Sequence, residues 1–263
     1  MGDFETISLA VDARGVAHLT LNRPAARNAI SQPMIRELRA AAARIALDKA
    51  VRVVVLTGSG DVFCAGGDLK GMQLQAARSR QERIADAAEW AETLAELDAL
   101  AKPVVGRING SAFGGGLGLI SICDTAIGVS TARFQLTEVR LGLTPATISP
   151  YVIARIGVAN ARRVMPTATE MDAALAVRYG LLTEAVAPNE LDAAVDRVVG
   201  LCLKCAPEAV AACKRLIQFV STHDAPANIT YTAQGLADRW ESDELREGIA
   251  AFLAKRKPEF GGK

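Results

Sequence analysis

The chain has 263 residues, of which half are hydrophobic, and its 30 Lys and Arg against 29 Asp and Glu leave a net charge of +1. That length holds one large domain, or one domain and an appendage, and the apolar fraction excludes a mainly disordered chain. A charge so near zero gives no electrostatic reason to expect nucleic acid or an acidic membrane as partner.

In chain order, the opening residues place Asp3 and Glu5 where an export signal carries positive charge, and no apolar run follows. Gly2 and Thr6 fit the myristoylation pattern formally, but the acidic Asp3 beside the glycine speaks against it. Residues 7–24 alternate apolar and other side chains about the turn Asp12-Ala13-Arg14-Gly15, which predicts a hairpin. Ser31 is placed to N-cap a helix running to about residue 47, with Pro33 in its first turn. The β-branched run VRVVVLT at 51–57 predicts a strand buried on both faces. A glycine-rich loop is expected over 58–71, then a helix over about 81–100. The pattern repeats as strand PVVGRING, glycine loop, short helix and strand DTAIGVS. From Pro145 helical periodicity dominates, interrupted by one strand near 184–187. Alternating strands and helices with buried strands predict an α/β layout. A core over 1–195 followed by a helical region over 196–263 is the expected division, and the basic end KRKPEFGGK reads as a solvated helix terminus.

Several chemistries are excluded on residue content. No stretch of about 18 uncharged apolar residues occurs, so a soluble cytoplasmic protein is expected. The five cysteines predict no disulfides in such a compartment. Cys202 and Cys205 form a CxxC inside a helical pattern, and His18 and His223 are poorly placed to complete a zinc site, so no metal is expected. No GxSxG is present.

What remains is two glycine loops, FCAGGDL at 63–69 and NGSAFGGGLG at 109–118, each after a predicted strand. Open α/β sheets place their ligands at such strand ends, and glycine lets backbone approach a ligand closely. Two neighbouring loops could each aim an N–H at one oxygen atom, with a helix beginning near Gly116 adding its positive end. Neither loop has dinucleotide-fingerprint spacing, and no Gly-Lys-Ser/Thr triplet appears.

The motifs LNRPAARNAI, FCAGGDLKGM, INGSAFGGGLGL followed by CD, RFQLTEVRLGLTP and AFLAKRKPEF, in that order, resemble the enoyl-CoA hydratase/isomerase (crotonase) superfamily nearly end to end. The resemblance implies a ββα spiral core with a C-terminal helical trimerisation region, as trimers or dimers of trimers. It implies that the N–H groups of Gly67 and Gly115 receive the carbonyl oxygen of an acyl-CoA thioester. Coenzyme A, part of the substrate and no separate cofactor, would lie against Arg27, Asn28, Ala29, Ala65 and Gly66, beside Asp68 and Leu69, with Phe252 and Lys255 reaching it from the last helix, sometimes of a neighbouring subunit.

Relatives that hydrate 2-enoyl thioesters carry two glutamates. Glu138 matches one; the other position is Gly118 here. A carboxyl in an apolar pocket is poised for proton transfer by desolvation, so Glu138 is the expected acid/base group. Asp68 and Asp124 read as local caps and Arg140 as a structural ion-pair partner. The segment after Glu138 resembles bacterial 3-methylglutaconyl-CoA and isohexenylglutaconyl-CoA hydratases most closely, which implies hydration of a branched glutaconyl-type thioester. Gly118 would then remove a charge that repels the substrate carboxylate and leave space for a branch or a water. A Δ3,Δ2-enoyl-CoA isomerase using the same glutamate, and a low-activity acyl-CoA-binding protein, are the alternatives.

Overall fold

The alternation about Asp12 folds β1 (Ile7–Val11) and β2 (Val16–Leu21) into an antiparallel hairpin. The Asp12 carboxylate closes the turn by accepting from the N–H groups of Arg14 and Val16. The computed structural model describes residues 4–260, so Gly2 and Asp3 lie outside them. Helix α1 (Gln32–Leu47) starts where expected: the Ser31 hydroxyl accepts from Met34 N–H, and Met34, Ile35, Leu38, Ala42 and Ile45 form its buried stripe. Strand β3 (Val53–Gly58) follows.

Residues 58–71 are not the single loop expected. They contain β4 (Val62–Cys64) and the start of α2 (Leu69–Ala76), whose N-cap is Asp68. Next come α3 (Arg80–Asp98), opened by a Ser79/Glu82 capping box, then β5 (Val104–Ile108), β6 (Ser111–Phe113) and α4 (Gly115–Ser121). The chain continues with β7 (Thr125–Val129), β8 (Arg133–Gln135), α5 (Ser149–Val164), β9 (Met171–Asp172), α6 (Ala173–Arg178) and β10 (Glu184–Val186). It ends with α7 (Leu191–Leu203), α8 (Pro207–Val220), α9 (Ala225–Trp240) and α10 (Asp243–Leu253).

Two sheets result. One has the order β1-β2-β3-β5-β7-β10, parallel except for the first hairpin; the other has the order β4-β6-β8-β9. Each of β3, β5 and β7 is followed by a short strand in the second sheet and then by helix, so the ββα unit recurs three times. This is the α/β spiral expected. The glycine loops therefore leave the carboxyl ends of β4 and β6, which pair in parallel, rather than those of the long strands β3 and β5. That pairing brings the two loops side by side.

Helix α7 buries Leu191, Ala194, Val195 and Val199 against β3, β5 and β7, so the division between residues 195 and 196 falls inside it. By contrast α8, α9 and α10 bury one side chain among them, Ala251. Lys214 of α8 ties this region to the core through the Asp124 carboxylate (2.7 Å), which also accepts from Val104 N–H, and the Lys102 carbonyl. Among the described residues no helix is long and apolar enough to cross a membrane, and no group of three or more His, Cys, Asp or Glu could hold a metal ion.

Candidate active site

The first glycine loop is held from one side by the segment before α1. Ala65 N–H donates to Arg27 O (2.9 Å), Ile30 N–H to Gly66 O (2.7 Å) and Asp68 N–H to Ile30 O (2.9 Å). These bonds make Ile30 and Gly67 partners in a parallel bridge. In that geometry the residue flanked by the two bonds keeps its own N–H and C=O on the far side. Gly67 N–H accordingly points away from Ile30, and no described residue accepts from it.

Gly66 has φ +88°, and a Cβ there would meet Phe113 O at 2.9 Å, so only glycine lets the loops touch. In the second loop, Gly114 takes φ +48° and ψ −120° and donates to Gln135 O (2.9 Å). This turn leaves Gly115 as the first residue of α4, where a helix leaves its N–H groups without intrahelical partners.

Glu138 opens a single 3-10 turn, Glu138–Leu141, and faces the same two loops. A Cβ on Gly114 would lie 3.0 Å from its Oε1. Its Oε2 is buried without any hydrogen-bond partner. Burial pushes the carboxyl above the ordinary glutamate range, opposed only by its own backbone N–H. A cleft of about 630 Å³ is lined by both loops, Glu138, Leu141 and Leu143. Two idle backbone donors and a carboxyl with one unpartnered oxygen thus share one cavity. The arrangement can polarise a carbonyl and move a proton at the neighbouring carbon atoms.

Residues 12–263 match the family model described as enoyl-CoA hydratase/isomerase. The chain belongs to the enoyl-CoA hydratase/isomerase family. It is an enzyme of the enoyl-CoA hydratase type. Similar proteins include a crotonyl-CoA hydratase of Syntrophomonas wolfei, 32% identical over 262 residues and 99% of each chain. A short-chain-enoyl-CoA hydratase of Clostridium acetobutylicum is 31% identical over 247 residues, 93% of each chain. Among solved structures, an enoyl-CoA hydratase from Shewanella pealeana superposes with TM-score 0.93 at 34% identity, covering 97% of this chain and 96% of that one. Pseudomonas aeruginosa AtuE does so with TM-score 0.93 at 37% identity, covering 97% and 98%.

In this family member the cleft brings together Arg27, Ala29, Ala65, Gly66, Gly67, Asp68, Leu69, Gly115 and Glu138. Four residues singled out from the sequence lie outside its lining. Asn28 is fully buried, and its side chain welds the segment to β4 and the turn before it: Nδ2 donates to Ser59 O and Val62 O (2.8 Å each), and Oδ1 accepts from Arg23 N–H (2.9 Å). Phe252 is 83% exposed on α10, and Lys255 follows that helix; in a single chain neither reaches the cleft. Gly118 faces inward, and a Cβ there would meet Ile148 Cγ2 at 2.4 Å. The space expected beside Gly118 for a branch or a water is therefore absent: Ile148, from the start of α5, fills it.

Asp68 caps α2 and pairs with Arg23 (2.8 Å), and burial of its carboxylate is outweighed by that bond and by the Gly71 and Lys70 amides, which hold it below the usual carboxylate range. Arg140 forms no ion pair among the described residues; it donates to Ala168 O (3.2 Å). Arg23, Met72, Gly114 and Leu143 also line the cleft, although sequence reasoning did not single them out. Arg23 lies within the LNRP motif, but nothing local shows that its side chain turns toward residue 68.

Proposed function

We propose that the enzyme hydrates a 2-enoyl-CoA thioester with a single glutamate as both base and acid. The thioester oxygen accepts from the N–H groups of Gly67 and Gly115. Glu138 takes a proton from water as its oxygen bonds to Cβ; the Cα=Cβ electrons pass to the carbonyl as an enolate; and Glu138 returns the proton to Cα. The two amides stabilise the oxyanion only while it exists, and removing one donor of this kind typically costs about 10²–10³ in rate.

The observation that carries the reading is the Glu138 carboxyl, whose Oε2 is buried without a partner, beside two glycine amides that no described residue satisfies. The other cleft carboxylate, Asp68, is already engaged by Arg23 and two amides. For the acyl group we favour a branched glutaconyl type. The residues after Glu138 support it, and so do Arg27 and Lys70 on the cleft wall, cations able to face a terminal carboxylate or the coenzyme phosphates. A panel of crotonyl-, 3-methylcrotonyl-, 3-methylglutaconyl- and 3-enoyl-CoA with product identification tests this. Turnover of the glutaconyl thioester to its 3-hydroxy product is expected to be fastest; no hydration of any member refutes the reading.

One observation favours a second reading. Gly118, packed under Ile148 and outside the cleft lining, supplies no second carboxylate, and one base suffices to remove and return a proton in Δ3,Δ2-isomerisation. The 3-enoyl thioester in the panel separates the two.

The enzyme is further read as a cytoplasmic homo-oligomer, trimer or dimer of trimers. The exposed Ile217, Ile229, Leu236, Trp240, Phe252 and Leu253 on α8 to α10 support an assembly that covers them. In such an assembly Phe252 and Lys255 would meet coenzyme A bound to a neighbour.

A further inference from the structure

The Gly67 peptide is suspended between two fixed points, Gly66 O and Asp68 N–H, both bonded to Ile30. A side-chain clamp closes the same join. Arg23 Nη1 donates to Asp68 Oδ2 (2.8 Å) and to Ala29 O (2.7 Å). Asp68 Oδ1 accepts from Lys70 N–H (2.9 Å) and Gly71 N–H (3.3 Å), where α2 begins. One carboxylate therefore joins the 23–30 segment, the glycine loop and the first turn of α2. The side chains are only 26% and 12% exposed, so the pair is shielded from solvent more than a surface ion pair.

We propose that Arg23 and Asp68 are positioning residues that set the direction of the Gly67 N–H toward the thioester oxygen. This rests on the reading of Gly67 as an oxyanion donor. Such a donor is useful only within about 2.7–3.1 Å of where charge develops, and a displacement of about 1 Å can cost on the order of 10² in rate. Without the clamp, residue 68 would keep its bond to Ile30 O and its ties to the first turn of α2, where Met72 N–H donates to Asp68 O (2.9 Å), but its side chain would no longer be fixed to the 23–30 segment. The rival role for Arg23, which also lines the cleft, is direct contact with substrate.

The test uses Arg23→Gln, Arg23→Lys and Asp68→Asn in the full chain. Asparagine caps a helix about as well as aspartate, so Asp68→Asn breaks the ion pair and keeps the start of α2. Should one of these variants fold poorly, Arg23→Lys preserves the charge and tests the same tie. The readouts are kcat and KM for crotonyl-CoA and the infrared carbonyl stretch of a bound 2-enoyl thioester labelled with carbon-13. The stretch is recorded in a Glu138→Gln background, so that substrate persists.

Arg23→Gln and Asp68→Asn are expected to lower kcat about 10- to 100-fold with KM changed little, and to lose part of the downshift of the carbonyl stretch; Arg23→Lys restores some of both. A raised KM with kcat and the downshift intact makes Arg23 a substrate ligand and overturns the proposal. Unchanged kcat and an unchanged stretch overturn it as well. No downshift even in the Glu138→Gln parent removes Gly67 as a donor, a distinct failure that takes the clamp's role with it.

Discussion

Glu138→Gln is expected to disable the enzyme and stabilise it. In the native fold Oε2 is buried without a partner, and burial raises the carboxyl pKa. Keeping an ionised oxygen buried without a partner costs at least about 1–3 kcal/mol, and that cost belongs to the charge, which glutamine lacks. The cleft opens to solvent, so screening puts Glu138 at the lower end, about 1 kcal/mol. Glutamine keeps the volume and drops the charge, and should raise the melting midpoint by roughly 2–4 °C in a chain of this size.

The sign depends on pH. In acid below the ordinary glutamate range the carboxyl is neutral in both folded and unfolded chains, and the variant has no advantage. As pH rises, the unfolded wild type ionises first while the native state resists, so wild type loses stability relative to the variant; the gap is complete above the raised pKa. Meanwhile kcat should fall by about 10²–10⁴, the usual share of a general acid/base. Melts at about pH 4 and pH 8, with the loss of enoyl absorbance as the rate assay, check both halves. A variant less stable at the higher pH, equally stabilised at both, or fully active would refute the reasoning.

Gly114→Ala should lose at least about 1 kcal/mol for a side chain at positive φ, and more activity than stability, because its Cβ would meet Glu138 Oε1 at 3.0 Å; paired melts and kcat measurements show which falls further. Gly118→Ala should destabilise by roughly 1–3 kcal/mol through overpacking against Ile148, read from denaturant unfolding, whereas an unchanged midpoint would mean that Ile148 simply moves aside. In the native protein the exposed Cys205 and Cys213 should react with a thiol reagent at mildly alkaline pH. Cys64 and Cys123, buried with thiols pushed up to about 12, should react only on unfolding, as a time course with peptide mapping would show.

Much of the fold was legible because its signals are local. The Ser31 cap, Pro33 and a stripe of apolar residues specify α1 within one stretch of chain. The uninterrupted valine run marks β3 as a strand covered on both faces. The glycine loops and Glu138 stand out by composition and motif. The three-residue strands β4, β6 and β8 carry no readable period, and they exist only because each pairs with another; their pairing is what sets the glycine loops side by side.

The same divide runs through the site. Asn28 falls between Arg27 and Ala29 in the motif, but Ser59 O and Val62 O draw its side chain inward, away from the cleft. The role of Gly118 turned on Ile148, thirty positions later in the chain and in contact only through the packing of α5 on α4. Residue types and their order determined which chemistry the chain could perform, since a carboxyl and two glycine loops are covalent facts. Where an N–H points and which carboxylate is left without a partner were decided by contacts between distant segments, because hydrogen-bond direction and desolvation exist only once those segments meet.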